Sequence, residues 1–322
     1  MASTPRAAID RRRLGRRLTD VADASVRDVL AARAGGRPHS GSDVHRIAVT
    51  GPPGAGKSSL VGAIAAHRLG SARHLGVLAI DPTSPHSGGS ILGDRIRIDG
   101  VVTDERLYVR SVPSRSSADG TTDNLPDLLA ALEEQRFDEI LVETVGVGQA
   151  DYAVRQCVDT VVVIVLPGSG DTVQAMKAGI LEVGHVYAVH KADRPGADLL
   201  AAELAATLDR RALNGWIPPV LLTSTVSGAG VPQLSDAIDA HRSHLRSRRD
   251  ASACTLARAR YDVERLVTRR ARELVADLPP DALRQPLRDV YHAVVHELLG
   301  ELAVPHTTTI SEGQRDGDCS TP

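Results

Sequence analysis

The chain has 322 residues, 42% of them hydrophobic and 24% charged, with a formal net charge of −2. That balance suits a globular protein with ample length for a core, and it gives no electrostatic case for nucleic acid or an anionic membrane as partner. No apolar run approaches the roughly 20 residues of a membrane span, and Cys157, Cys254 and Cys319 lie too far apart for a Cys-x-x-Cys site. A reducing, cytoplasmic setting is expected, with no structural zinc. Aromatic residues make up only 2%, so the core must be built from Val, Leu, Ile and Ala.

The N-terminus carries Arg6, Arg11, Arg12, Arg13, Arg16 and Arg17. An amphipathic mitochondrial presequence would have this look and would place the protein in the matrix, but Asp10 interrupts it. A solvated helical extension, continuing through Thr19 to Arg33, accounts for the same residues. We therefore expect a helical extension over 1–42, closed by the Gly-, Pro- and Ser-rich linker from Ala34 to Ser42.

His45–Thr50 then reads as a short apolar strand, and the residues from Ser58 onward have helical spacing. Between them lies Gly51-Pro52-Pro53-Gly54-Ala55-Gly56-Lys57-Ser58-Ser59. Glycines here let the backbone curl so that successive N–H groups face phosphate oxygens, with a helix N-terminus behind them. Lys57 can reach the terminal phosphates, and the Ser58 hydroxyl can ligate Mg²⁺. The basic composition sharpens this reading. Of 38 Lys plus Arg, only Lys57, Lys177 and Lys191 are lysine. Lysine retained against such a bias suggests a place where a compact ammonium fits and a planar guanidinium does not. The pattern implies a bound nucleoside triphosphate.

Further apolar runs follow at Leu75–Ile80, Arg106–Val112, Glu139–Glu143, Thr160–Leu166, Val186–His190 and Val220–Thr223. Helical patterns lie between most of them, as at Leu125–Glu134, Val173–Glu182 and Asp198–Leu208. Continuous apolar strands alternating with helices predict an α/β fold, a largely parallel sheet with helices on both faces. Ligands of such sheets sit beyond the carboxyl ends of the strands. We place this domain over 43–245. A C-terminal helical region, which could serve dimerisation, follows over 246–304. Long helix begins near Ser235, breaks at Pro279-Pro280 and resumes over Asp281–Leu302. A polar, disordered tail over 305–322 ends the chain.

Three carboxylates follow strands: Asp81, Asp94 and Glu143. With Ser58 they form an oxygen set of the kind Mg²⁺ prefers. Gly146 lies three residues after Glu143, where a small residue could sense a terminal phosphate through its N–H. His190-Lys191-Ala192-Asp193 nearly matches a guanine-reading tetrapeptide. The Asp193 carboxylate can accept from guanine N1–H and N2–H₂, a donor pair that adenine lacks. Thr223-Ser224-Thr225 has the place of the backbone loop presented to the base. GTP or GDP with Mg²⁺ is therefore the expected ligand set.

The runs Gly51–Leu60, Asp81–Arg97, Val142–Asp151 and Pro167–Gly179 resemble the MeaB/ArgK family of P-loop GTPases. Gly88-Gly-Ser-Ile-Leu-Gly-Asp94 and Glu143-Thr-Val-Gly-Val-Gly-Gln149 carry most of the likeness. The resemblance implies a P-loop NTPase fold. It also implies a GTPase acting as a homodimeric chaperone for an adenosylcobalamin-dependent acyl-CoA mutase, methylmalonyl-CoA mutase or a relative. In that family the metal shell falls on Ser58, Asp81, Asp94 and Glu143. A mobile partner-sensing segment falls on Gly168 to Lys177, and Lys177 is thought to swing toward the nucleotide.

Three positions depart from the family pattern. His190 stands where the family has Asn, although an imidazole N–H could still reach guanine N7. Residues 118–124 lack the family's glycine- and lysine-bearing segment, and the dimerisation arm is not clearly legible. Two other readings share the loop. A kinase would need an acceptor pocket that the sequence does not reveal. A nickel-insertion metallochaperone would usually carry a Cys/His cluster, whereas Cys157 is isolated.

Overall fold

The computed structural model describes residues 9–34, 43–71, 73–82, 104–114, 123–135, 137–145, 149–168, 183–209, 215–247 and 251–302. The chain divides into two compact units, Met1–Glu264 and Arg265–Pro322. Asp94, Gly146, Lys177 and the helix expected at 173–182 lie outside the described residues, as does the tail.

The first unit begins with α1 (Arg11–Asp23) and α2 (Val26–Arg33). The described residues form seven strands, β1 (His45–Thr50), β2 (Leu75–Pro82), β3 (Leu107–Ser114), β4 (Glu139–Glu143), β5 (Thr160–Val165), β6 (Val186–His190) and β7 (Val220–Thr223). Helices α3 (Lys57–Gly70), α4 (Leu125–Glu133), α5 (Gln149–Cys157), α6 (Ala197–Leu208) and α7 (Val231–Ser247) alternate with them. The last two helices are α8 (Ala251–Ala276) and α9 (Leu287–Leu302).

The strands form one sheet in the order β3-β2-β4-β1-β5-β6-β7, and every pairing is parallel. Residues of β4, β5 and β6 are buried along their whole length, which is why their sequences are unbroken apolar runs. Strands β2 and β3 run two residues past their expected ends, because their mutual ladder continues through Asp81–Pro113 and Pro82–Ser114. One face of the sheet is covered by α3 and α7, which bury Leu60, Val61, Ile64, Leu234 and Ile238. The other face packs on α1, α4, α5 and α6 through Leu14, Leu18, Leu128, Leu132, Val154 and Leu204.

The N-terminal stretch is helical as expected, but it is more than a solvated extension. Leu14 and Leu18 are buried against the sheet's helices. Asp10 caps α1 by accepting from the Arg13 N–H at 2.9 Å, and Ser25 and Asp28 form a reciprocal capping box on α2. Asn124, at the start of α4, donates to the Val21 and Ala24 carbonyls at 2.7 and 3.0 Å. That amide ties the α1–α2 junction to the core. At the other end, α9 starts only after Pro286; the expected start near Asp281 is a single 3-10 turn at Ala282–Arg284. Proline is tolerated in the first turn of a helix and not inside it.

The amino ends of the strands hold a buried polar network. Arg68, at the far end of α3, donates from Nη1 to both oxygens of Glu139 at 2.6 and 2.7 Å, and from Nη2 to the Ser235 carbonyl at 2.9 Å. His45, Glu139 and Asp239 approach one another closely enough to suggest metal ligands. The Arg68 and Arg73 guanidiniums are bonded to both carboxylates, so the cluster is an ion-pair network. Beside it the Thr160 hydroxyl bridges His45 Nε2 and His241 Nδ1, each at 2.8 Å. His185 stacks on His241 with ring centroids 4.3 Å apart.

Burial pushes these imidazoles down from their ordinary value of 6.5, His45 to about 3, His185 to about 2 and His241 to about 4. They are neutral in the fold, and the unfolded chain binds more protons below pH 6.5. Stability is therefore fully present above that pH and falls as the solution is acidified toward the folded values. Each imidazole removes on the order of 1.4 kcal/mol per pH unit across this window. The expected outcome is a clear drop in melting temperature between pH 7 and about pH 5, above the range of most carboxylates. His185→Gln would flatten the slope; an unchanged slope would show that the ring is solvated.

Candidate nucleotide site

Because all seven strands run the same way, their carboxyl ends share one edge of the sheet. The loop Gly51–Gly56 leaves β1 there and enters α3 at Lys57. Gly51 has φ +149°, and a Cβ on it would stand 2.6 Å from the Ile164 carbonyl oxygen, so no other residue fits this turn. Gly56 is the N-cap of α3 in the left-handed region, φ +88°. Pro52, Pro53, Gly54, Ala55 and Ser59 complete the loop and first turn. Lys57 is buried, and its Nζ is held by the Gly51 and Pro52 carbonyls at 3.0 and 3.1 Å.

Three of the four residues expected to hold a metal are described. The Ser58 hydroxyl donates to Glu143 Oε1 at 2.6 Å. Ala79 of β2 pairs with Glu143 of β4, which puts Asp81 two residues beyond that level on the neighbouring strand. Asp81 accepts from the Ser111 hydroxyl of β3. Hydroxyl and carboxylate oxygens in one buried place fit Mg²⁺, a hard cation that takes oxygen ligands. Glu143, Asp81 and Ser58 are each less than a tenth exposed. Thr144 donates to Thr50 Oγ1 at 2.8 Å, joining the ends of β4 and β1.

The tetrapeptide at 190–193 leaves β6, two strands from β1. His190 is buried, with Nδ1 3.0 Å from Thr223 Oγ1 on β7. The opposite edge of its ring lies against the phosphate loop: a Cβ on Gly56 would meet His190 Cδ2 at 3.0 Å and Nε2 at 3.1 Å. Burial, and then the Lys191 charge, hold its pKa below the usual imidazole range. Lys191 has φ +58°, alone among the described non-glycine residues in being positive. Its Nζ donates to the Gly54 carbonyl at 2.9 Å. The two loops are thus joined twice.

Asp193 accepts from the Ser224 hydroxyl at 2.7 Å. That bond, ahead of all other causes, keeps its carboxyl below the usual range, so it is an anion at neutral pH. Thr225 follows in the same turn, and Ser224 N–H is bonded to the Ala229 carbonyl. The sequence marked Ser224 as part of a base-facing loop but gave no hint of its hydroxyl bond to Asp193. Thr223 and Ser111 were not expected as partners; single hydroxyls on neighbouring strands leave no motif.

The ring–loop contact sets a measurable coupling. Gly56→Ala should destabilise the fold, through the left-handed φ and through His190. His190→Asn should relieve only the second part. In denaturant titrations the double variant should be about 1 kcal/mol more stable than the sum of the singles. Strict additivity would mean the ring does not pack on the loop.

Comparison with known proteins identifies the chain's relatives. A Pyrococcus horikoshii protein named as a GTPase is 41% identical over 207 residues, covering 63% of this chain and 65% of that protein. The Escherichia coli GTPase ArgK is 34% identical over 206 residues, 62% of each chain. A mouse protein, methylmalonic aciduria type A homolog, mitochondrial, is 36% identical over 196 residues, 59% of this chain and 47% of that one. The matches thus span under two thirds of these relatives. The crystal structure of a LAO/AO transport system kinase has the same fold, with a TM-score of 0.61 at 21% identity over 90% of this chain and 94% of that one. The fold is that of the P-loop NTPases. The family described as methylmalonyl Co-A mutase-associated GTPase MeaB matches residues 23–278, and this chain belongs to that family.

Proposed function

We propose that the chain is a Mg²⁺-dependent GTPase that acts as chaperone to an adenosylcobalamin-dependent acyl-CoA mutase, gating cofactor loading or protection. The observation that carries the nucleotide half is the Ser58–Glu143 bond beside Lys57, with an ionised Asp193 two strands away on the same edge. In this reading Lys57 and the loop N–H groups stabilise charge on the transferred phosphoryl group while water attacks in line. Ser58, Asp81 and Glu143, with Asp94, would hold Mg²⁺, which offsets phosphate charge. Asp193 reads guanine. The family's name supports the mutase as client. We also infer a cytoplasmic homodimer; in the second unit Val267, Val275, Leu287 and Tyr291 are exposed, as a dimer surface would require. No described helix is long and apolar enough to cross a membrane.

Calorimetric titration tests the base preference. GTP should bind at least about a hundredfold more tightly than ATP, and Asp193→Ala should abolish the difference. Lys57→Ala should remove hydrolysis. Equal affinities for the two nucleotides would overturn the guanine reading.

The client is tested by steady-state turnover with and without a cobalamin-dependent mutase from the same organism. No water-positioning base is evident in the sequence, so turnover should be slow alone and rise when the mutase binds. Lys177→Ala should lose most of that rise. Equal stimulation of both proteins would remove Lys177 from the mechanism, and absence of binding would remove the mutase.

A further inference from the structure

Far from the nucleotide edge residues, α1 and the edge strand β3 enclose an open hollow of about 540 Å³, lined by Arg11, Arg12, Gly15, Arg16, Thr19 and Arg110. Four guanidiniums and, among the described residues, no carboxylate face it. Of the acids nearby, Asp10 caps α1, Asp104 is bonded to Arg106 and Glu134 to Arg17, while Asp20 and Glu105 do not line the hollow. Arg11 donates to the Leu107 carbonyl at 2.8 Å. Arg110 donates from Nη2 to Thr19 Oγ1 at 2.7 Å, while its Nε is buried with no acceptor among the described residues. Arg12 and Arg16 pair with no described carboxylate.

Several unfavourable features coincide here. Arg12 and Arg16 stand one turn apart on α1, where like charges repel. Arg11, Arg12 and Arg13 crowd the positive end of the helix, which has no acidic residue in its first turn. Gly15 occupies the helix interior, where alanine is the better helix former. A Cβ at Gly15 would lie 4.0 Å from Arg110 Nη1 and 3.7 Å from Tyr108 Oη, so glycine keeps the floor of the hollow clear. An anion placed there would offset the repulsion between the guanidiniums and add to the charge that Asp10 brings to the helix end.

We propose that this hollow is a binding site for an oligophosphate anion, with Arg12, Arg16 and Arg110 as its direct ligands and Thr19 beside them. A lone carboxylate would balance one guanidinium. An oligophosphate brings several charges and oxygens that planar forks can engage from different sides. The site is distinct from the phosphate loop: β3 stands three strands from β1, about 14 Å away at ordinary strand spacing.

The test is calorimetry of inorganic tripolyphosphate against the full chain with excess GDP and no added magnesium. GDP then fills the phosphate loop, and chelation cannot mimic binding. Saturable binding that weakens as salt rises is expected. Arg12→Gln/Arg16→Gln should weaken it about tenfold or more and leave GDP affinity unchanged. Gly15→Leu should fill the hollow, giving equal or greater helicity by circular dichroism and loss of the probe. Because that variant favours α1, a loss of binding there cannot be ascribed to unfolding. No saturable binding below about 1 mM at about 150 mM salt, or equal binding by the arginine variant, would overturn the proposal.

Discussion

Helix α3 and strand β4 are clamped to each other at both ends, and the geometry of the nucleotide edge depends on that clamp. At one end the Ser58 hydroxyl meets Glu143; at the other, Arg68 meets Glu139 with both carboxylate oxygens. The four residues are the first and last of β4 and two residues about three turns apart on α3. A helix docked only through apolar contacts can slide or rotate by a fraction of a turn. Here such a motion would break a charge-assisted hydrogen bond at each end. Glu139 is fully buried, so losing Arg68 would leave its charge to Arg73, and losing both guanidiniums would leave it uncompensated, a defect of about 3–5 kcal/mol. The direction in which the loop N–H groups point is thus fixed from the far side of the sheet.

Much of this was legible in the sequence because burial on both faces leaves a plain signature. Strands β1, β4, β6 and β7 have the boundaries their apolar runs suggested, β5 stops one residue short, and the phosphate loop sits between strand and helix as its glycines required. The clamp itself was not legible. Arg68 looks like any arginine near a helix end, and Glu139 like a solvated residue at a strand start; only the fold makes them neighbours, 71 residues apart in sequence. Asn124 fell in a segment notable mainly for its departure from the family pattern, and its amide holds the N-terminal helices. The start of α9 was misplaced because Asp281 resembles a cap, whereas Pro286 sets the boundary.

The substitution of histidine for asparagine at 190 gains a different meaning from the structure. Viewed along the sequence, it is a weakened base contact. In the fold, one ring nitrogen faces Thr223 and the other edge faces Gly56. Together with the Lys191 bond to the Gly54 carbonyl, the ring makes the base-side loop and the phosphate loop one mechanical piece. Anything that shifts one of them shifts the other.

The N-terminal helix also settles how the sheet ends. An open parallel sheet has two edge strands, each offering a row of unsatisfied backbone groups to other chains. On one side β7 is only four residues long, too short to template much pairing. On the other, β3 spans eight residues, and α1 lies along it with Arg11 hydrogen-bonded to the Asp104 and Leu107 carbonyls. The helix therefore works as an edge guard. A chain cut before Ser25 would expose the longer edge strand together with the apolar surface beneath Leu14 and Leu18, leaving it prone to strand-to-strand aggregation.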